Sequence, residues 1–312
     1  MDESERQHRE NHLNKIKERL SWFTKAEAKS TELMASVPNA AVYVGMTGCE
    51  LDLDTFDVVD GLGIVRQVTN APGIVHVCRA ADLSKTDYLA VARYSNSISS
   101  ELAFGLNGKQ EFAFLLDVAW HTAAMLKLRG HTTLCCPSYA TRSWDILCAI
   151  SDNTVGFGIL DDVPRQIRGN RDAKIGARDL EWVRQHWSDA LDLRCTDVSR
   201  RFGLAFNLSY TWNHTTDFRI GLFNLWGGLE ALFADKTDRP VTRKVVDRIC
   251  AWLSPLMPDD VERSYNLRCD AVHGRTLEDA DLVEITCWTD EMLRQSLIRC
   301  IEQREVPLPD WS

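Results

Sequence analysis

Residues 1–170 of the sequence predict an α+β domain, and residues 171–312 predict an all-α bundle. Three observations divide the chain this way. Between Ala40 and about residue 160, short runs rich in β-branched and aromatic residues alternate with Gly, Asn, Pro and Asp, as strands and turns do. Beyond Arg171 the long segments instead carry apolar residues at three-to-four spacing, the period of an amphipathic helix. Between the two regions lies a polar, glycine-bearing stretch, "PRQIRGNRDAKIGAR", which marks separate cores.

The elements follow in chain order. Residues 5–36 form one expected helix, with Leu13, Ile16, Leu20 and Phe23 along one stripe and Pro38 after its end. "AAVYVGM", "GLGIVRQVT", "GIVHVC" and "YLAVARY" read as strands. A helix over Gln110–Arg129 is apolar around most of its surface and therefore buried, and Gly130 closes it. "HTTLCCP", "WDILCAI" and "TVGFGIL" read as further strands. Five or six helices then make the C-terminal bundle, with breaks that include Met257-Pro258-Asp259-Asp260 and Gly274.

Composition narrows the function classes. The chain has 312 residues, 45% hydrophobic and 26% charged, with a net charge of −9. Such a length supports two domains and a core that needs no metal or disulfide staple. The ten cysteines are dispersed except for Cys135 and Cys136, and no Cys-x-x-Cys pair exists. Reduced thiols in a cytoplasmic protein, with neither metal nor cofactor, are the expectation. The charged N-terminus lacks a signal-peptide core, and Asp117 and His121 interrupt the richest apolar run, so no membrane association is expected. An acidic chain does not attract nucleic acid through its overall field, so contact with RNA requires a local basic patch. Arg165, Arg168, Arg171, Lys174 and Arg178 supply one such stretch, which also reads as a solvated linker.

The chemistry concentrates in "SYNLRCDAVHGRTL". Arg268 and His273 stand five residues apart, and Gly274 ends the helix. Five steps of about 100° leave the two positions roughly 140° apart, so they are not ordinary helical neighbours. Asp259 or Asp260 is the expected N-cap, and His273 the last helical position, at the negative end of the helix dipole. A protonatable imidazole beside a permanent guanidinium suits phosphodiester chemistry: one moves a proton, the other holds charge on phosphate. The same spacing also fits a helix cap with no chemistry. His121, amid Trp120 and Met125, is expected to make hydrogen bonds within the core or between helices.

The run from Tyr265 through Arg268 to Val272-His273-Gly274 resembles the signature of HEPN domains, in particular the ApeA-like branch. "LFNLWGGLEALFA", which contains Glu230, and "VTRKVVDRICAWL" resemble that branch's two preceding helices, and the likeness spans roughly Asp179–Glu302. The resemblance implies a HEPN-like helical bundle that forms a homodimer, bringing two Arg/His motifs to one composite cleft. It further implies metal-independent cleavage of RNA, in phage defence or a toxin-like system, with Arg268 and His273 catalytic. A non-catalytic dimerising and RNA- or nucleotide-binding module is the alternative. Cys269 departs from the small polar residue common after the arginine, and Asp270 beside it is expected either to supply that support or to be simply solvated. Glu230 is the expected partner of Arg268, as a supporting group or as a structural salt bridge. Any phage-derived or antitoxin partner remains unidentified by the sequence.

Overall fold

The computed structural model describes residues 40–59, 62–83, 85–105, 112–151, 154–161, 174–195, 200–235, 241–275 and 278–307. The expected helix over 5–36, the boundary at 170/171, and Arg165, Arg168 and Arg171 lie outside the described residues. Eight strands are described: β1 (Ala40–Thr47), β2 (Glu50–Leu51), β3 (Thr55–Val59), β4 (Gly63–Gln67), β5 (Ser100–Gly105), β6 (Cys135–Ala140), β7 (Phe157–Ile159) and β8 (Lys174–Ile175). The helices of the N-terminal half are α1 (Ile74–Ala80), α2 (Lys85–Tyr94) and α3 (Phe112–Gly130). Six more follow: α4 (Ala177–Cys195), α5 (Arg200–Thr211), α6 (Phe218–Phe233), α7 (Val241–Trp252), α8 (Pro258–Val272) and α9 (Asp279–Gln303). An antiparallel sheet region thus precedes a largely helical C-terminal part. Among the described residues no helix is long and apolar enough to cross a membrane.

The chain forms two compact units. The first comprises Met1–Thr47, Gly61–Ala119 and Cys136–Leu160; the second comprises Gly48–Asp60, Trp120–Cys135 and Asp161–Ser312. The helical unit therefore also takes in two pieces of the N-terminal half.

In the first unit the strands run in the order β4-β5-β1-β6-β7. β5 pairs antiparallel with both β1 and β4, and Tyr43 lies opposite Ala103. Side-chain alternation then sends Val42, Val44, Leu102 and Phe104 to one face, all fully buried. Tyr43 and Ala103 face the other way, into a cluster with Val77, Ala80, Val91, Ile98 and Trp144. "GIVHVC" and "YLAVARY" are the helices α1 and α2, not strands. Val77 and Ala80 are buried three apart, and within so short a run helical and alternating patterns fit equally well. "WDILCAI" also departs from expectation: Trp144–Ile146 is a 3-10 turn, with the Ser143 hydroxyl accepting the Asp145 N–H.

In the second unit α6 is the central helix. Leu222, Leu225, Trp226, Leu229, Leu232 and Phe233 are all buried, as expected of a helix apolar nearly all round. Gly228 allows close approach of α9, since a Cβ there would sit 2.7 Å from a Leu293 methyl. The Trp226 Nε1–H donates to Ser264 Oγ at 3.1 Å, and Ser264 lies 2.9 Å from Thr289 Oγ1. One buried polar chain thereby fixes the register of α6, α8 and α9.

Candidate functional site

The sequence of α8 sets where its functional groups emerge. Pro258 occupies the first turn, where its missing N–H costs nothing, and Asp259 and Asp260 sit near the positive end of the dipole. Neither aspartate is the N-cap, contrary to expectation. Met257 holds that position without a side-chain cap, because the helix begins at the proline, two to three residues before an aspartate cap would start it. Val261, Ser264 and Ala271 are buried, and Arg268 falls on the same stripe at three-to-four spacing. Its side chain is therefore drawn inward, to 15% exposure.

The end of α8 is a Schellman motif. The Arg275 N–H reaches the Asp270 carbonyl at 3.0 Å, and the Gly274 N–H reaches that of Ala271 at 3.3 Å. Gly274 carries the left-handed φ of +74° that this stop demands. His273 is the C-cap residue, and its imidazole is exposed. Among the described residues no side-chain hydrogen bond or ion pair engages it.

Arg268 is held from three sides. Its Nη2 donates to Glu230 Oε1 at 2.9 Å. Its guanidinium carbon lies 5.7 Å from the Phe223 ring centroid and 5.2 Å from that of Tyr265, both within cation–π range. Nη1 is 3.8 Å from Cys269 Sγ, a weak contact, and Nε is buried without a partner. The anticipated Glu230–Arg268 pair is thus present, joining α6 to α8.

Asp270 is engaged elsewhere. Its Oδ1 accepts from Arg275 Nη1 at 2.6 Å, and the arginine side chain is 74% exposed. This is a surface ion pair across the helix stop, worth little to stability. The structure brings Arg268 and Glu230 together, places His273 at the open end of the same helix, and directs Asp270 to Arg275.

Phe223 and the Trp226–Ser264–Thr289 chain were not singled out from the sequence, and Tyr265 was named there only as the start of the motif, not as a contact of Arg268. Tyr265 stands three residues before Arg268, so helical neighbour spacing could have found it. Phe223 had no comparable signal, because its contact crosses from α6 to α8.

The remaining histidines have other surroundings. His121 is fully buried, with Nε2 3.2 Å from the Trp187 carbonyl and Nδ1 3.2 Å from Arg194 Nη1. That pattern fits a neutral ring donating from Nε2 and accepting at Nδ1, the core role expected of it. His214 lies beside buried Lys127, whose ammonium donates to the Tyr210 carbonyl and to Asn213 Oδ1 at 2.5 Å. Burial, followed by the charge of Lys127, pushes His214 down to about 3. Lys174, from the basic stretch, lies 3.9 Å from Glu50 and 3.8 Å from Asp52. Among the described residues no group of three or more His, Cys, Asp or Glu side chains is placed to hold a metal ion. Comparison with protein-family models, with curated proteins and with solved structures gives no match to this chain.

Proposed function

We propose that the C-terminal bundle is a HEPN-type, ApeA-like domain and that the protein is a metal-independent endoribonuclease acting as a homodimer. The observation that carries this reading is the anchored Arg268 guanidinium on the helix that ends, one and a half turns later, at the exposed imidazole of His273. The arrangement divides labour in the way phosphodiester cleavage requires. Glu230, Phe223 and Tyr265 hold the guanidinium in place, so that little ordering remains to be done when phosphate arrives. The exposed imidazole can take the proton of the RNA 2′-hydroxyl, whose oxygen then attacks phosphorus. Alternatively it can hand a proton to the departing 5′-oxygen. Either role leaves a 2′,3′-cyclic phosphate and a 5′-hydroxyl, and DNA, without the 2′-hydroxyl, is not cut.

The surface around the motif supports association of two copies. Ile220 and Phe223, one turn apart on α6, and Val272, one turn after Arg268 on α8, are 51%, 48% and 50% exposed, and Phe223 lies against the arginine. A symmetric contact there would bring two arginines and two histidines into one cleft.

One observation favours a non-catalytic RNA-binding dimer instead: Glu230 neutralises Arg268, as it would in a structural pair. Incubation of the purified protein with RNA in EDTA separates the two readings. The ribonuclease reading expects cleavage with cyclic phosphate ends, lost in His273→Ala by about 10²–10⁴-fold with folding intact. RNA binding without cleavage selects the non-catalytic RNA-binding reading, and cleavage that survives His273→Ala assigns the motif to structure.

A further inference from the structure

Three helix ends meet at one end of the helical unit. α8 and α9 are antiparallel: five residues separate His273 from Asp279, and Ser264 bonds to Thr289 further along both helices. The first turns of α6 and α9 together line a cavity of about 510 Å³, so α6 runs parallel to α9. The cavity therefore lies at the end of the unit where α8 delivers His273. Its size falls in the range of small-ligand sites.

The walls specify the chemistry of an occupant. Trp212 and Phe218 supply aromatic surface. Trp212 and Asn213 are only 6% and 4% exposed, and the Asn213 Oδ1 is already taken by the Lys127 ammonium, so these two close the cavity without offering it a polar group. Asp217 and Asp279 contribute acceptors on the opposite side of the balance, against the single cation Arg219. The Asp217 Oδ1 already caps the Arg219 N–H at 2.9 Å, so the N-terminus of α6 is not itself an anion site. Two carboxylates against one guanidinium disfavour a bare phosphate. A flat group that stacks on the aromatic wall and offers an amine to a carboxylate fits this lining.

We propose that this cavity binds a nucleobase, and that it serves as the subsite for a nucleoside flanking the bond cut near His273. The cavity assignment stands on its own walls; only its place beside the scissile bond rests on the ribonuclease reading. Aromatic side chains provide the stacking surface through which proteins hold unpaired bases. The carboxylate of Asp279 can read a base edge by accepting from an exocyclic amine.

Calorimetric titration of the full-length protein with the four nucleoside 5′-monophosphates, in EDTA, tests the assignment directly. At least one is expected to bind the wild-type protein. Asp279→Ala removes an exposed acceptor and is expected to weaken that binding by about tenfold or more. Val283→Trp fills the cavity from its wall and is expected to abolish it, and circular dichroism reports whether that larger change folds. Should it not fold, Asp279→Ala decides. The proposal is overturned if none of the four binds. It is equally overturned if Asp279→Ala and folded Val283→Trp proteins bind as the wild type does, or if inorganic phosphate displaces the nucleotide at equal concentration. Nucleotide binding without cleavage of any RNA would sink the ribonuclease reading and leave the cavity assignment standing.

Discussion

Arg66–Glu101 in the first unit and Arg268–Glu230 in the second pair the same two side chains, yet they differ in every respect that bears on function. The first is sealed, at 4% and 0% side-chain exposure. Glu101 accepts from Arg66 Nε at 2.6 Å and Nη2 at 2.5 Å, from Ser143 Oγ at 2.8 Å, and from the Trp144 N–H at 2.7 Å. Its acceptor capacity is filled. The second pair is open, at 15% and 29% exposure, with one hydrogen bond between the partners. A closed pair locks a β-strand to the turn beside it, whereas the open pair leaves part of the guanidinium at the surface, as the proposed contact with phosphate requires. The difference teaches that an arginine's role is read from what its partner leaves unspent.

The comparison breaks most visibly at Glu101. Glu101→Ala should cost about 3–5 kcal/mol, because Arg66 would remain buried with its charge uncompensated. Urea denaturation checks it; a loss below about 1 kcal/mol would mean the closed pair is not structural. A smaller effect is expected at His214 in the second unit, beside the buried cation Lys127. His214 is held neutral, so its folded pKa of about 3 lies below the ordinary histidine value. The unfolded chain therefore binds more protons between pH 6.5 and 3, and stability is lost as pH falls through that window. The wild type should lose about 1–2 kcal/mol between pH 7 and 5. His214→Phe, which keeps a ring against Tyr210, should flatten that slope in melts recorded at both pH values. The smallest stability effect is expected at the open pair. Glu230→Gln should shift stability by less than about 1 kcal/mol. It should lower RNA cleavage by about tenfold, as Arg268 loses its orientation. Unchanged cleavage would make Glu230 a bystander and bring the two pairs closer in kind.

These contrasts also show what the sequence could convey. The six helices of the C-terminal part announced themselves, because their apolar stripes run for twelve or more residues and fit no other period. α1 and α2 did not: seven and ten residues rich in Val and Ala satisfy strand and helix patterns alike, and packing on the sheet decides. β5 was passed over for a different reason. "SELAFG" carries Ser, Glu, Ala and Gly, residues poor in strand preference, yet it lies between β4 and β1. Its glutamate is tolerated at the centre because Arg66, Ser143 and Trp144 converge on it, a fact stored 35 to 43 residues away. At the candidate site Arg268, His273 and the Gly274 stop were legible locally. The aromatic flank was not, since Phe223 reaches Arg268 from another helix.

The Schellman stop gives α8 the character of a clock face whose hand is fixed by counting. Arg268 sets one hour and His273 another, about 140° on, and Gly274 determines only where the dial ends. A Cβ at Gly274 would meet nothing within 4 Å, so replacing that residue strains the backbone without touching a neighbour. A single residue inserted between Arg268 and His273 would instead turn the imidazole by about 100° and lift it about 1.5 Å, carrying it off its meridian. Length between the two residues, more than identity at the stop, therefore sets the angle between guanidinium and imidazole on this helix.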